Sequence, residues 1–233
     1  MGDYYKTDSK ELNSLSLEKI ENLYAQGYVL TRIPNLIQTR SLRIDLSLFS
    51  LTSENNRVLK KTQNLNLVEV TLPLLKNETN WAIIAKGKAF YKEKFKVVDF
   101  TANKFREILY QKNNQKFNLL LAYVSPAQPI KQNPDYQKPL GYSICFHTDN
   151  ILHYCYPFYS LDTTTSNVGM GMMLKAIVWA KETQKKYIYL GSATRSADIY
   201  KLQFRGLEWW DGKAWQKDIS QIKNLLIQAS QPL

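Results

Sequence analysis

Gly169 and Gly171 open a stretch of helical pattern that follows an extended apolar run. A helix starting there presents N–H groups without intrahelical acceptors, which suit an anionic or carbonyl oxygen. Asp162 is the carboxylate nearest this mouth in sequence, and Thr163, Thr164, Thr165 and Ser166 surround it with hydroxyls, one of which is expected to cap the helix. Downstream, Arg195, Tyr200, Lys201 and Arg205 follow a second apolar run. Arg195 and Lys201 suit a phosphate or an esterified ribose, and a tyrosine can donate to a carbonyl or protonate a departing hydroxyl. Upstream, Arg57, Lys60 and Lys61 stand at i, i+3 and i+4. On a helix they share one side, as unpaired cations compensated by a polyanion or as a solvated face.

Other reactive types are read as structural. His147 and His153 flank the turn HTDN without a zinc-enzyme spacing, and a hairpin tip is expected to be exposed. Cys145 and Cys155 sit in apolar runs and read as buried and inert. Two cysteines cannot close a structural metal site or build a disulfide framework, so no metal is expected and the expected compartment is a reducing cytoplasm. The first residues lack a secretory pattern, and no run reaches membrane-spanning length. Thirty-one Lys and Arg against 20 Asp and Glu give a formal charge of +11, which favours a nucleic-acid or acidic-membrane partner.

The elements that must position these residues follow from periodicity. Met170, Met173, Leu174, Ile177 and Val178 recur at helical spacing between Val168 and Thr183, ahead of an apolar strand at Tyr187–Leu190. With Tyr154–Tyr159 before it, this is a strand–helix–strand unit with a right-handed crossover. Helices are predicted at 17–26, capped by Ser16, from Thr52 or Ser53 onward, at 79–91, from Thr101, and at 219–228. The 79–91 helix sets Trp81, Ile84, Lys88 and Tyr91 in one register, with Gly87 against it. Strands are predicted at 28–30, 42–48 and 117–124, a hairpin at 141–146 and 151–156, and a second hairpin across Asp211 and Gly212. The stretch 125–139 reads as a proline-containing loop, 77–80 as a turn, and Trp209, Trp210 and Trp215 as a closure of the core.

The strand–turn–helix–strand order resembles the N-acetyltransferases, in which a glycine-opened helix wraps the pyrophosphate of coenzyme A. Here Ser166 replaces the usual long polar side chain, and close helix–sheet packing explains the glycines equally. More widely, SLEKIENLYAQGYVLTR, TRSLRIDLSLFSLTSENNRVLKKTQN, VGMGMMLKAIVWAKETQKKYIYLG and IYKLQFRGLEWWDGKAW resemble segments of the aminoacyl-tRNA–protein transferases, the arginyl- and leucyl-transferases of the N-degron pathway, over roughly residues 17–217. The resemblance implies an α/β (α+β) fold with an N-acetyltransferase-like mixed sheet flanked by helices. Divided along the sequence, this gives an N-terminal companion subdomain at 1–100 and an acetyltransferase-like domain at 101–233.

It also implies an enzyme that moves an amino acid from aminoacyl-tRNA to the α-amine of an acceptor polypeptide, with no cofactor. Tyr200 and Lys201 stand where the family's tyrosine and lysine stand, and Arg57 and Lys60 match its serine–arginine helix. On this reading Gly169 and Gly171 face a developing oxyanion, Arg195 and Lys201 hold the 3′ end of the tRNA, and Arg57, Lys60 and Lys61 reach its acceptor stem. Asp162 or Tyr200 is the base. The family's cysteines near Arg43 are absent, SATRSAD replaces its aromatic loop, and Ala197 replaces a lysine. An acyl-CoA-dependent N-acyltransferase and a non-catalytic tRNA-binding protein are the alternatives.

Overall fold

A computed structural model describes residues 6–12, 15–33, 35–75, 80–96, 100–110, 116–124, 139–163 and 165–228. The expected loop at 125–138 and most of the turn at 77–80 lie outside them. Two compact units emerge. The first gathers Met1–Thr52, Thr148–His153 and Ala180–Leu233, and the second Ser53–His147 and Tyr154–Trp179. Residue 100, the boundary read from the sequence, falls inside the second unit.

In the first unit, helix α1 (Leu17–Ala25) starts where expected, with the Ser16 hydroxyl accepting from Lys19 N–H. Strand β1 (Asp8–Glu11) pairs with β3 (Asn35–Gln38), which also pairs with β2 (Tyr28–Leu30) in a small antiparallel sheet. Strand β4 (Ser41–Asp45) lies between β9 (Tyr187–Ser192) and β10 (Leu207–Trp210), antiparallel to both. Leu42, Ile44 and Leu46 are fully buried, whereas Leu48, expected to continue that face, is exposed beyond the strand. Strand β11 (Trp215–Gln216) closes the hairpin on β10 through Asp211 and Gly212. A 3-10 helix (Ser196–Gln203) and helix α6 (Ser220–Gln228), anchored by Ile222 and Leu226, pack together.

The second unit contains α2 (Ser53–Lys61), β5 (Asn66–Thr71), α3 (Asn80–Phe95), α4 (Ala102–Leu109), β6 (Leu119–Val124) and β7 (Pro139–His147). Strands β5, β6 and β7 form an antiparallel run, and every residue of β6 is buried. The α3 register differs from expectation: Ile83, Ile84 and Phe90 are buried and Trp81 is exposed. Gly87 lies inside the helix because α4 packs there, and a Cβ on it would stand 2.3 Å from the Phe105 ring.

Strand β8 (Ile151–Tyr159) belongs to both units. Its first three residues pair in parallel with β9, and its remainder lies beside β7. Helix α5 (Val168–Glu182) is the crossover between β8 and β9, and Met172, Met173, Leu174 and Ile177 are buried along it. The expected class, α/β (α+β) with a mixed sheet and flanking helices, is the one formed. Among the described residues no helix is long and apolar enough to cross a membrane.

Candidate functional site

The residues expected to do chemistry divide between the units. Asp162, Gly169, Gly171, Arg57, Lys60 and Lys61 belong to the second, and Arg195, Tyr200, Lys201 and Arg205 to the first.

In the second unit Asp162 is exposed in the turn after β8, and Thr163 Oγ1 accepts from Thr165 N–H just ahead of α5. Asn167, at φ 61°, leads into the helix. Gly171 N–H donates to Asn167 O at 2.8 Å, the first intrahelical bond. It is therefore not one of the N–H groups that a helix start leaves without an intrahelical acceptor. The oxyanion role expected of Gly171 is corrected accordingly. A Cβ on Gly171 would stand 2.5 Å from Thr62 Cγ2 and Oγ1, while one on Gly169 would stand 3.1 Å from the Tyr159 ring. Close packing accounts for both glycines.

Thr62 is β-branched and its hydroxyl is held by Val58 O at 2.9 Å, so it yields little. Gly171→Ala is expected to destabilise the protein by about 1–3 kcal/mol through overpacking, less whatever alanine gains in helix propensity. Adding Thr62→Ala should restore most of it in a urea titration. A neutral single variant would remove the packing explanation.

Helix α2 carries Lys60 and Lys61 on its exposed surface, but Arg57 is not unpaired. Its Nε donates to Glu54 Oε2 at 2.6 Å one turn earlier.

The histidine and cysteine expectations divide. His153 is not exposed at a hairpin tip: it lies in β8, 2% exposed, with Nδ1 2.7 Å from the Tyr24 hydroxyl. Burial, reinforced by the charge of Lys201, holds its pKa down at about 3, so the ring is neutral. His147 is half-buried. Cys145 is buried, and its thiol is pushed up to about 12 by burial; burial also raises Cys155. Neither forms a disulfide, and raised thiols of this kind are poor nucleophiles.

The first unit assembles a polar cluster around Asp198. Lys201 Nζ donates to Ser192 O at 2.9 Å and lies 3.0 Å from Asp198 Oδ1. Asp198 Oδ2 accepts from the N–H groups of Thr194 and Arg195 at 3.2 and 3.1 Å and lies 3.6 Å from Arg195 Nε. Burial pushes the Asp198 carboxyl up, yet Lys201 and then Arg195 outweigh it and hold it below the usual range. Burial lowers the Lys201 ammonium, with Asp198 opposing. Tyr200 is 43% exposed beside them. Arg205 does not join this group; it donates to Ser50 Oγ at 3.1 Å.

Asp198 was missed by sequence reasoning, although an acidic residue three positions into a helical turn is a capping signal. Arg43 was also passed over as a site residue. Its Nε and Nη2 both meet Glu208 Oε2 at 2.8 Å, and its Cζ lies 4.0 Å from the ring centroids of both Tyr187 and Trp215. A concavity of about 370 Å³ lined by Lys10, Lys19, Asn22 and Gln26 contains none of the expected site residues. Among the described residues no group of three or more His, Cys, Asp or Glu is placed to hold a metal ion.

No family model matches the chain. Two known structures are remotely similar: FemX, at 9% identity and TM-score 0.45 over 76% of this chain and 60% of that one, and L-PGS from Bacillus licheniformis, at 8% and 0.44 over 75% and 49%. The curated relatives are aspartate/glutamate leucyltransferases from two strains of Xanthomonas campestris pv. campestris, B100 and ATCC 33913, each 31% identical over 71 residues. That segment is 30% of this chain and 28% of each relative, so the match spans little more than a quarter of the relatives' length. The chain is thus similar, over one local segment, to a leucyltransferase.

Proposed function

We propose that this chain is an aminoacyl-tRNA-dependent transferase that moves an amino acid onto the N-terminal α-amine of a polypeptide. The 71-residue similarity to an aspartate/glutamate leucyltransferase carries the reading, and the net charge of +11 agrees with an RNA partner. In the step proposed, the neutral amine attacks the ester carbonyl and a C–N bond forms. The C–O bond to the terminal ribose breaks, and the proton lost by nitrogen ends on the departing hydroxyl. An activated ester needs mainly positioning and charge stabilisation for this.

Lys201 and Arg195 are assigned to the 3′ end of the tRNA, and Tyr200 to the departing hydroxyl or to proton removal. Lys60 and Lys61, with Arg57 shared with Glu54, are assigned to backbone phosphates. Gly169 N–H, as a donor to a carbonyl oxygen, and Asp162, as a base, are the second unit's own candidates. The reading requires no cofactor beyond the charged tRNA.

The test is incubation with a panel of aminoacyl-tRNAs and peptides of varied first residue, with the peptide mass as readout. One pair should yield a peptide heavier by one residue. Lys201→Met and Arg195→Ala should each lower transfer on the order of tenfold or more, since each removes a charge-assisted hydrogen bond. Loss of the exposed Arg195 should change unfolding little, whereas Lys201→Met also strands the buried Asp198 carboxylate and should destabilise the fold. Undiminished transfer in both would remove these assignments. Salt-sensitive tRNA binding without transfer to any peptide would replace the enzyme with an RNA-binding protein.

A further inference from the structure

We infer that Asp198 is the positioning residue of the Lys201–Arg195 surface, and that it sets this surface to accept a single phosphodiester of an RNA chain. The inference rests on the proposed transferase reading and adds to it a residue and a stoichiometry.

Asp198 is 3% exposed and bound on both oxygens. One oxygen fixes the backbone at Thr194 and Arg195, while the other meets Lys201 Nζ at 3.0 Å. An ammonium has three N–H donors. Here one goes to Asp198 and one to the Ser192 carbonyl, which leaves one for a further acceptor in a direction fixed by the other two. Lysine is ordinarily a flexible point charge; held at two points, it becomes a preorganised donor. The Arg195 side chain is 64% exposed, and its Nε lies 3.6 Å from Asp198, so the guanidinium keeps donors facing solvent.

Charge then limits what binds. Arg195 and Lys201 contribute two positive charges and Asp198 removes one, while burial keeps the neighbouring His153 neutral. A net charge of one matches a phosphodiester rather than a pyrophosphate. The same carboxylate that orients the cations therefore weakens binding of more highly charged groups.

The experiment compares wild type, Asp198→Asn and Arg195→Gln. For each, tRNA affinity is measured across salt concentrations and transfer is resolved into kcat and KM. Asp198→Asn keeps shape and an acceptor but removes the negative charge. It should bind tRNA at least as tightly as wild type while kcat falls about tenfold, a split that loss of folding would not give. Arg195→Gln should lower the salt slope of binding by about one. Wild-type kcat in a folded Asp198→Asn, or an unchanged salt slope in Arg195→Gln, overturns the inference. Should Asp198→Asn fail to fold, Asp198→Glu takes its place: it keeps the charge but displaces the carboxylate, so wild-type kcat in that folded variant overturns the inference. A wild type that transfers nothing from any charged tRNA instead overturns the underlying function, a separate result.

Discussion

Arg43→Met should destabilise the protein by about 3–5 kcal/mol, because it strands a carboxylate in the interior. Glu208 and Arg43 face each other across β10 and β4, with side chains 7% and 11% exposed. The Nε hydrogen bond and the Nη2 ion-pair contact converge on one Glu208 oxygen, and Tyr187 and Trp215 place rings 4.0 Å from the guanidinium carbon. Removing the cation deletes the hydrogen bonds and the cation–ring attraction, and leaves a negative charge with little water to solvate it. Glu208→Leu in the same chain should recover most of the loss, since replacing a buried pair by apolar groups is often neutral. Urea unfolding of the two singles and the double gives the coupling directly. If Arg43→Met unfolds at the wild-type midpoint, the pair contributes nothing to stability.

Acid should weaken the fold through His153 before most carboxylates titrate. The ring takes up a proton near pH 6.5 in an unfolded chain but only near pH 3 when folded. Between those values the unfolded state binds more protons, so stability falls as pH falls. The slope approaches about 1.4 kcal/mol per pH unit, or roughly 2–3 kcal/mol between pH 7.5 and 4.5. Tyr24 takes Leu30 N–H at 3.2 Å and sits 2.7 Å from His153 Nδ1, an arrangement suited to a neutral ring. Lys201 adds repulsion to any imidazolium formed there. Asp198 has the same sign at lower pH, because its depressed carboxyl loses its stabilising contribution on protonation. His153→Gln, which cannot titrate, should flatten the profile above pH 5. Parallel profiles for the two proteins would show that His153 does not set the acid response.

Elements with a local signature were legible in the sequence. The caps Ser16 and Thr101 both accept N–H groups three residues ahead, and α5 spans Val168–Glu182 where its periodicity placed it. The strand–helix–strand crossover emerged because β8 and β9 carry apolar runs on either side of that helix. The failures lay where a residue's partner is distant or where two faces compete. Alternation in β4 identified a buried face but could not indicate that Arg43, on the opposite side, meets a glutamate 165 positions later. Turn chemistry placed His153 near a tip, whereas strand pairing carried it inside. In α3, Trp81 matched the helical period but Ile83 and Phe90 won the interior. Of the candidate site, Lys201 and Arg195 were identified by type and place. Asp198, which orders them, sat in a segment without periodicity and was read as loop.

Strand β4 is flanked on both edges by segments synthesised long after it. At roughly 5–20 residues per second, the nascent chain carries β4 without either neighbour for on the order of ten to thirty seconds before β9 emerges. During that wait Leu42 and Ile44 are open to solvent and to the edges of other chains. A messenger truncated before Leu207 would leave one edge of β4 open permanently, so its product should be degraded or should aggregate rather than persist as a smaller folded protein.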